Sequence, residues 1–583
     1  MADAAQEVSV RRSPTAAPYH AVAAGSAESP LARPPALAPA EGVAYFTPVP
    51  DALSSRETFD ASERAALAPY FTNLDGSVFA LRNLPEVVKG ALFARYSRSP
   101  KSLRRLFLDE FHEAVVADEE RTGVGVERAD RLYEKVFSEY GDDSVAQLGG
   151  AHLACEDASN ILTKVLEWGR LMAYLEQSTR YIPYTARDAQ GAWRYLVPKE
   201  LDGHGLRHAY VNALDRAFAT YAEWLTRVEA HLHERFPRAV NDSEAVHKRT
   251  LRAKALDSVR GLLPAATRSN VGLFGTGQAY EALLLRMRAH PLAEVRAYAD
   301  AMLVELRKVI PAFLKRVDRD DRGVAWSRYL EETTRATREI AQRIGADTEP
   351  ESRPEVALVD FDPEGELKVV AAALYPHTSL ADDQLLDLAR SLSDETRAQI
   401  LAAYVGERGN RRHRPGRAFE RTSYRFDVLT DYGAFRDLQR HRMLTLEWQP
   451  LSTAHGFALP EVVDECGGAQ AWREAMEACA EVASALQTAG LPDVAPYAVP
   501  MAFRVRFYME MNAREAMHVI ELRTAPQGHA AYRRVCQQMH RLVAEAAGHR
   551  AIAAAMSFVD HSAVDLERLE AERASQRRRE GRS

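Results

Sequence analysis

The cationic side chains between residues 436 and 452 are of the type and spacing that bind anions. This stretch reads RDLQRHRMLTLEWQPLS, and its centre is Arg440-His441-Arg442. Arg436 and Arg440 are four positions apart, so on a helix they share one face. Two guanidinium groups on one face can each bind a phosphate or a carboxylate through paired hydrogen bonds. The alternative for an isolated triplet of this kind is a solvated basic patch.

A second candidate anion site begins at Asn512. Residues 503–511 alternate apolar and polar side chains, which predicts a strand with one buried face. Asn512, with Glu515 three positions later, has the capping-box pattern of a helix start. The N-terminus of a helix favours negative charge, and Arg514 and His518 follow there on one face. We therefore expect a strand followed by an anion-binding helix; the alternative for Arg514 and His518 is a solvated helix face.

A third polar stretch, Glu176-Gln177-Ser178-Thr179-Arg180, follows an apolar pattern of helical spacing at 162–169. It offers a carboxylate, a hydroxyl and a guanidinium within five residues. An ordinary polar helix end is the alternative. By contrast, the glycines between Gly272 and Gly277 lack the full spacing of a dinucleotide-binding loop, and we interpret them as a turn.

Composition bounds the class of protein. The chain has 583 residues, enough for two or more domains, with 46% apolar and 27% charged residues, as in soluble globular proteins. Its net charge of −7 gives no general case for nucleic-acid binding. No stretch of about 18 apolar residues predicts a membrane span, and the first residues lack the apolar core of a signal peptide, so we expect a cytoplasmic protein. The four cysteines form no CxxC pair, which favours reduced thiols and no metal site.

The order of elements suggests an internal duplication. The helical pattern at 208–233 corresponds to that at 472–487, and the approach to Pro264 corresponds to residues 495–501. Residues 382–404 are predicted to be helical. The predicted segments are a disordered Ala/Pro-rich tail at 1–42, a first domain at 43–348, a linker at 349–355, a second domain at 356–565 and a charged tail at 566–583.

These motifs together resemble the signature of the flavin-dependent thymidylate synthases. The second half is similar to that family at Arg440-His441-Arg442, at Asn512-Ala513-Arg514 and at Leu522-Arg523. The first half is similar at Glu176, Ser178, Arg180 and Tyr181, but its triplet has become Trp168-Gly169-Arg170. After the second-half triplet, Pro450 and Ser452 stand where the family has a serine and an arginine. The two halves therefore keep complementary parts of one signature.

The resemblance implies a fold and a set of site residues. The fold class is α+β, with two tandem domains, each an antiparallel sheet with helices, that form a pseudo-dimer. The implied catalytic residues are Glu176, Ser178 and Arg180. The implied substrate-binding residues are Arg260, Arg436, Arg440 and Arg523. The implied cofactor-binding residues are Arg440, His441, Arg442, Asn512, Arg514 and His518.

The resemblance also implies a reaction. An enzyme of this family transfers a methylene from methylenetetrahydrofolate, a folate, to deoxyuridine monophosphate, with FAD as cofactor and NADPH as reductant. One composite site per chain is expected, without nucleic-acid or membrane partners, and pairing of two such chains into a homodimer is compatible with it. The alternative is a catalytically inactive pseudoenzyme that binds flavin or nucleotide. A nucleic-acid-binding role for the basic segment 411–417 is disfavoured by the negative net charge.

Overall fold

The computed structural model describes residues 58–75, 79, 81–96, 101–113, 115–116, 147–238, 243–345, 348 and 351–562. The segments 1–42 and 566–583, predicted to be tails, and residues 349–350 of the predicted linker lie outside this range. The chain divides into two compact units, and all features below belong to the unit Phe59–Leu74 with Phe79–Ser583. Within the described part of the chain, no helix combines the length and the apolar character needed to cross a membrane.

The first half contains a three-stranded antiparallel sheet. Its strands are β1 Gly150–Ser159, β2 Met172–Glu176 and β3 Arg268–Thr276, in the order β1-β3-β2. Its helices are α1 Ala61–Leu67, α2 Glu86–Tyr96, α3 Leu103–Glu110, α4 Asn160–Leu166, α5 Arg207–Arg235, α6 Glu244–Val259, α7 Gly277–Arg288, α8 Ala293–Leu306 and α9 Ala325–Gly345. Glu176 is the last residue of the edge strand β2, so the polar stretch that follows leaves the sheet at its rim.

The second half contains a four-stranded antiparallel sheet. Its strands are β4 Val356–Phe361, β5 Ser423–Asp431, β6 Thr445–Trp448 and β7 Arg504–Asn512, in the order β4-β5-β7-β6. Its helices are α10 Gly365–Leu374, α11 Asp382–Ser391, α12 Asp394–Val405, α13 Tyr432–Leu438, α14 Glu461–Glu465, α15 Ala469–Thr488, α16 Ala513–Arg523, α17 Ala530–Glu545 and α18 Arg550–Ala555.

The two halves repeat one local arrangement, a strand that runs directly into a capped helix. β3 leads into α7, where the Thr276 hydroxyl accepts a hydrogen bond from the Ala279 amide at 3.3 Å. β7 leads into α16, where the Asn512 side chain accepts one from the Glu515 amide at 2.9 Å. Side chains along β7 alternate between buried and partly exposed. The predicted strand, the predicted Asn512 cap and the α+β fold class are therefore confirmed.

Corresponding segments of the two halves pair with each other at the pseudo-dimer contact. The Pro264 and Pro500 segments run antiparallel, and the Ala265 amide donates to the Val499 carbonyl at 2.9 Å. In the reciprocal direction, the Met501 amide donates to the Leu263 carbonyl at 2.9 Å. The long helices α5 and α15 also pack on each other. Such reciprocal contact between equivalent surfaces is the geometry of a two-fold dimer, here within one chain.

Two predicted elements are wrong in detail. The glycines at 272–277 lie in β3 and at the start of α7 instead of in a turn. A side chain on Gly277 would place its Cβ 2.5 Å from the Phe313 Cβ, so this glycine permits close packing. Residues 382–404 form two helices instead of one, because Ser393 starts α12 by accepting a hydrogen bond from the Thr396 amide.

Candidate active site at the contact between the two halves

The short helix α13 places the second half's arginines against the first half. Asp431 caps this helix, and Arg436 lies on its buried side. The helix ends at Leu438, so Arg440 and His441 follow it in a turn. The predicted common helix face of Arg436 and Arg440 is therefore wrong, although both arginines reach the same partner in the first half.

That partner is Glu176 at the end of β2. Its Oε1 lies 2.6 Å from Nη2 of Arg436, and its Oε2 lies 3.6 Å from Nη1 of Arg440. Lys164 of α4 is a third cation, with Nζ 3.4 Å from Oε2. Burial disfavours the charged carboxylate, but Arg436, Lys164 and Arg440 outweigh this effect and hold the pKa of Glu176 well below its usual range. Glu176 is therefore an ionised anchor between the halves.

A second carboxylate beside Lys164 behaves differently. Glu167 is completely buried and accepts a hydrogen bond from Lys164 Nζ at 2.5 Å. Burial nevertheless outweighs the attraction of this cation and raises the pKa of Glu167. The two neighbouring glutamates thus differ in their tendency to ionise because only Glu176 also contacts arginines of the second half.

Asp437 collects arginines from both halves. Its carboxylate contacts Arg440 and lies 3.6 Å from Nη2 of Arg260 and 3.8 Å from Nη1 of Arg523. Although Asp437 is buried, the charges of Arg440, Arg260 and Arg523 hold its pKa far below the usual range. Three of the predicted substrate-binding residues therefore meet at one aspartate that the sequence analysis did not single out.

Asp257 is the equivalent collector on the first-half side. Its carboxylate lies 3.0 Å from Nε of Arg180, 3.4 Å from Nε of Arg260 and 2.8 Å from Nδ1 of His529. Neither arginine Nε atom makes a hydrogen bond of good geometry within the described part of the chain, although both atoms are buried. Both N–H groups, in Arg180 and in Arg260, therefore remain available to a further acceptor.

A cavity of about 430 Å³ opens onto this cluster. It is lined by Arg180, Asp257, Arg260 and His529, among others. Burial lowers the pKa of His529, but the neighbouring Asp257 carboxylate outweighs this effect and raises it. A cavity of this volume with a few convergent polar groups is the usual form of a small-ligand site. The unused N–H groups fit an anionic ligand.

Ser178 has a local structural role. Its hydroxyl accepts a hydrogen bond from the Arg180 amide at 3.3 Å, and its carbonyl accepts from the amides of Tyr181 and Ile182. This turn directs the Arg180 side chain to Tyr532 and Gln527 of the second half, at 3.3 and 2.7 Å. The predicted catalytic residues Glu176, Ser178 and Arg180 therefore stand on one short turn.

The predicted cofactor-binding residues fall into two groups. In the first, His441, Glu515 and His518 bring their ligand atoms within 4.8 Å of one another. Arg523 Nε donates to Nε2 of His441 at 2.9 Å, and Arg414 donates to Nδ1 of His518 at 2.8 Å. These arginines occupy nitrogen lone pairs that a cation would need, so the donor set does not fit a metal ion.

The second group consists of Arg442, Asn512 and Arg514. Arg442 and Asn512 line a cavity of about 280 Å³ at the N-terminus of α16. Arg514 turns away toward Glu420, with 3.2 Å between Nη1 and Oε1, and Glu420 lines the same cavity. Guanidinium groups at a helix N-terminus fit the phosphate groups of a nucleotide cofactor.

Three residues that complete the cluster were missed from the sequence: Lys164, Asp257 and Asp437. Lys164 carried a usable signal, because it is a lone charge within the apolar pattern of α4. The aspartates carried a weaker one, since each lies three positions before an arginine of the site.

Comparison with known proteins gives a family match in both halves. The family described as "Thymidylate synthase complementing protein" matches residues 91–312 and again residues 357–548. A UPF0159 protein of Chlamydia muridarum (strain MoPn / Nigg) is 38% identical over 527 residues, which are 89% of this chain and 99% of the relative. A UPF0159 protein of Thermoplasma acidophilum is 30% identical over 511 residues, which are 83% of this chain and 97% of the relative. One family profile therefore accounts for both halves, and the duplicated length is shared with these relatives.

Two further similarities are partial. The flavin-dependent thymidylate synthase of Mycobacterium tuberculosis (strain H37Ra, ATCC 25177) is 29% identical over 182 residues, which are 31% of this chain and 66% of the relative. The crystal structure of the UMP/dUMP methylase PolB from Streptomyces cacaoi, bound with 5-Br dUMP, is 22% identical with a TM-score of 0.28. It covers 35% of this chain and 96% of its own.

Proposed function

Because this chain belongs to the family of the flavin-dependent thymidylate synthases, we propose that it methylates deoxyuridine monophosphate at one composite site per chain. The carbon comes from methylenetetrahydrofolate, and NADPH supplies the reducing equivalents through FAD. This assigns to the duplicated chain the reaction expected from its signature residues, with the two halves contributing different parts of a single site.

The observation that carries the proposal is the joining of complementary residues across the pseudo-dimer contact. Glu176 of the first half holds Arg436 and Arg440 of the second. Asp437 of the second half lies beside Arg260 of the first. Charged groups that the sequence divides between two halves are therefore neighbours in the fold, as a composite site requires.

In this proposal, Arg180 and Arg260 bind the phosphate of the nucleotide. Both line the cavity of about 430 Å³, and both carry a buried Nε–H without a well-formed hydrogen bond within the described residues. A phosphate oxygen would accept from these groups in short, charge-assisted hydrogen bonds. Arg436, Arg440 and Arg523 close the other side and orient the pyrimidine.

FAD, with its phosphate groups held by Arg442, Asn512 and Arg514, would supply the hydride for reduction of the transferred carbon. The remaining task of the chain is to orient the nucleotide and to exclude water. His441 is almost completely buried, and burial together with the nearby Arg523 lowers its pKa well below the usual range. It is therefore a neutral hydrogen-bonding group at neutral pH.

The alternative is a pseudoenzyme that binds flavin or nucleotide without turnover. One observation favours it: Asp257 and Asp437 already neutralise much of the arginine cluster, so an incoming phosphate must compete with internal carboxylates. Ligand binding without product formation is the distinguishing property.

The test combines binding and turnover on the full chain. Calorimetric titration with deoxyuridine monophosphate should give one site per chain, and two equal sites would exclude a composite site. Release of tritium from [5-³H]deoxyuridine monophosphate, in the presence of methylenetetrahydrofolate and NADPH, should depend on bound flavin. Binding of one nucleotide without tritium release would favour the pseudoenzyme.

A further inference from the structure

A large cavity lies at the position where pseudo-symmetry would place a second copy of the proposed site. Its volume is about 890 Å³, and Trp168-Gly169-Arg170, the first-half equivalent of the cationic triplet, forms one wall. The N-terminal turn of α7 and the segment 444–447 of the second half form others. Loss of the family residues has therefore left this counterpart open instead of filled with side chains.

Part of the wall comes from chain that the family does not share. The family matches end at residue 312 and resume at residue 357. Arg316, Arg322 and Trp326 lie in this interval, and all three line the cavity. The counterpart site has thus gained residues of its own in place of those it lost.

Arg286 is the most informative residue of the wall. Its Nε is buried without a hydrogen-bond partner, and the guanidinium makes neither an ion pair nor a hydrogen bond within the described part of the chain. Arg316, in the same wall, is by contrast paired with Glu281 at 2.7 Å. A buried cation without a counter-ion is unfavourable, and burial lowers the pKa of Arg286 accordingly. The protein therefore holds one uncompensated positive charge at this cavity.

Two tryptophan rings stand beside that charge. Trp168 lies below the Arg286 guanidinium, 5.4 Å from its centre, and is 38% exposed. Trp326 of α9 is 54% exposed, an unusual state for a large apolar ring. Indole rings on a cavity wall stack on planar ligands, and a guanidinium next to them binds an anionic substituent.

We propose that this cavity is a second ligand site, separate from the composite nucleotide site, that binds a planar aromatic molecule with an anionic group. Arg286 pairs with the anion, and Trp168 and Trp326 contact the ring. A nucleotide and a folate-like ring carboxylate share this chemistry. The proposal does not depend on the proposed methylation reaction.

The probe is 8-anilino-1-naphthalenesulfonate, a planar aromatic anion whose fluorescence rises on binding, titrated into the full chain. Arg286→Met and Trp326→Ala should each weaken binding about tenfold or more, the loss expected for a charge-assisted or a stacking contact. Tyr329→Ala is the matched control, because Tyr329 is also on α9, is 61% exposed and does not line the cavity. It should leave binding unchanged.

A stability measurement separates a ligand role from a structural one. Arg286→Met should leave the urea midpoint unchanged or raise it, because the substitution removes an unpaired buried charge. A fall in the midpoint would mean that Arg286 supports the fold, which would overturn the proposal.

Competition identifies the source of the ligand. Displacement of the probe by adenosine monophosphate indicates a nucleotide, and displacement by folic acid indicates a ring carboxylate. Displacement by neither compound would overturn the proposal, as would probe binding that survives both Arg286→Met and Trp326→Ala. Loss of probe binding in the double variant Arg440→Ala/Arg514→Ala would also overturn it, because those residues belong to the composite site.

Discussion

Arg436 of the second half and Glu176 of the first form a buried ion pair, with 2.6 Å between Nη2 and Oε1. Their side chains are 6% and 1% exposed. Buried pairs of this kind contribute little net stability compared with a well-packed apolar pair, but removal of one partner leaves an uncompensated charge. The contact is therefore a device that fixes how the two halves meet, which is what a site assembled from both halves needs.

The first prediction concerns this pair. Glu176→Gln should lower the free energy of unfolding by about 3–5 kcal/mol, because Arg436 loses its buried counter-ion. The double variant Glu176→Leu/Arg436→Met should lose less than the sum of the two single variants, since it leaves no charge unpaired. Urea denaturation measures both.

Glu305→Gln is the control for the same chemical change in an exposed pair. Glu305 contacts Lys308 at 2.7 Å, and both side chains are more than half exposed. Its loss should be within about 1 kcal/mol. Equal effects of Glu176→Gln and Glu305→Gln would show that the buried pair has no special role.

The regular elements of the second half could be predicted closely from the sequence. The alternation at 503–511 gave a strand that the structure places at Arg504–Asn512, and helical spacing at 472–487 gave a helix at Ala469–Thr488. These succeed because one face of each element is buried on a period that the sequence shows directly. Gly272–Gly277 failed for the opposite reason: its glycines answer to Phe313, a partner distant in sequence.

The candidate site was predictable in part. The arginines and Glu176 came from recognisable motifs, and the structure brings them together across the contact between the halves. Their carboxylate partners Asp257 and Asp437 could not be assigned, because pairing across the halves depends on how two sheets approach and not on local pattern. The roles of the individual residues in binding and catalysis remain predictions.

The second prediction concerns Glu515, which is buried beside His441. Burial raises its pKa from 4.5 to about 7. Between these two pH values the folded protein retains a proton that the unfolded chain releases, so this group's contribution to stability falls as pH rises through that window. Glu515→Gln cannot ionise and should escape this decline. Its thermal midpoint should match the unmodified protein near pH 5 and exceed it near pH 8.

The same comparison with Glu305→Gln, at an exposed position, should show no pH-dependent difference from the unmodified protein. A Glu515→Gln variant whose midpoint stays parallel to the unmodified curve from pH 5 to 8 would contradict the elevated pKa.

The third prediction concerns the cofactor. Arg440→Ala/Arg514→Ala should strip flavin from the purified protein, because the second half alone retains the cationic triplet and the Asn512 helix start. Each charge-assisted contact to a phosphate contributes about 1.5–3 kcal/mol. The absorbance spectrum of the protein as isolated measures flavin content. Gln278→Ala, at the equivalent helix start of the first half, is the control, and stoichiometric FAD in the double variant would refute the assignment.

The fourth prediction concerns the internal competitor for the phosphate. Asp437→Asn removes a carboxylate that the cations Arg260, Arg440 and Arg523 surround. The cluster then gains net positive charge, so deoxyuridine monophosphate should bind more tightly while the folded protein becomes less stable. Calorimetry and urea denaturation check the two effects. Weaker binding in this variant would indicate that Asp437 contacts the nucleotide itself.

The last prediction concerns Arg180 and Arg523, which belong to different halves but share one neighbour. Arg180 Nη1 lies 3.3 Å from the Tyr532 hydroxyl, and the Arg523 guanidinium lies 5.4 Å from the centre of the Tyr532 ring. Arg180→Ala and Arg523→Ala should each weaken deoxyuridine monophosphate binding by about 2 kcal/mol through loss of a charge-assisted contact. If one phosphate bridges both guanidinium groups, the double variant should lose less than the sum, because contacts to one group of ligand atoms are coupled. Strict additivity in calorimetric titrations would place the two arginines in separate sites, and the single composite site would then have to be abandoned.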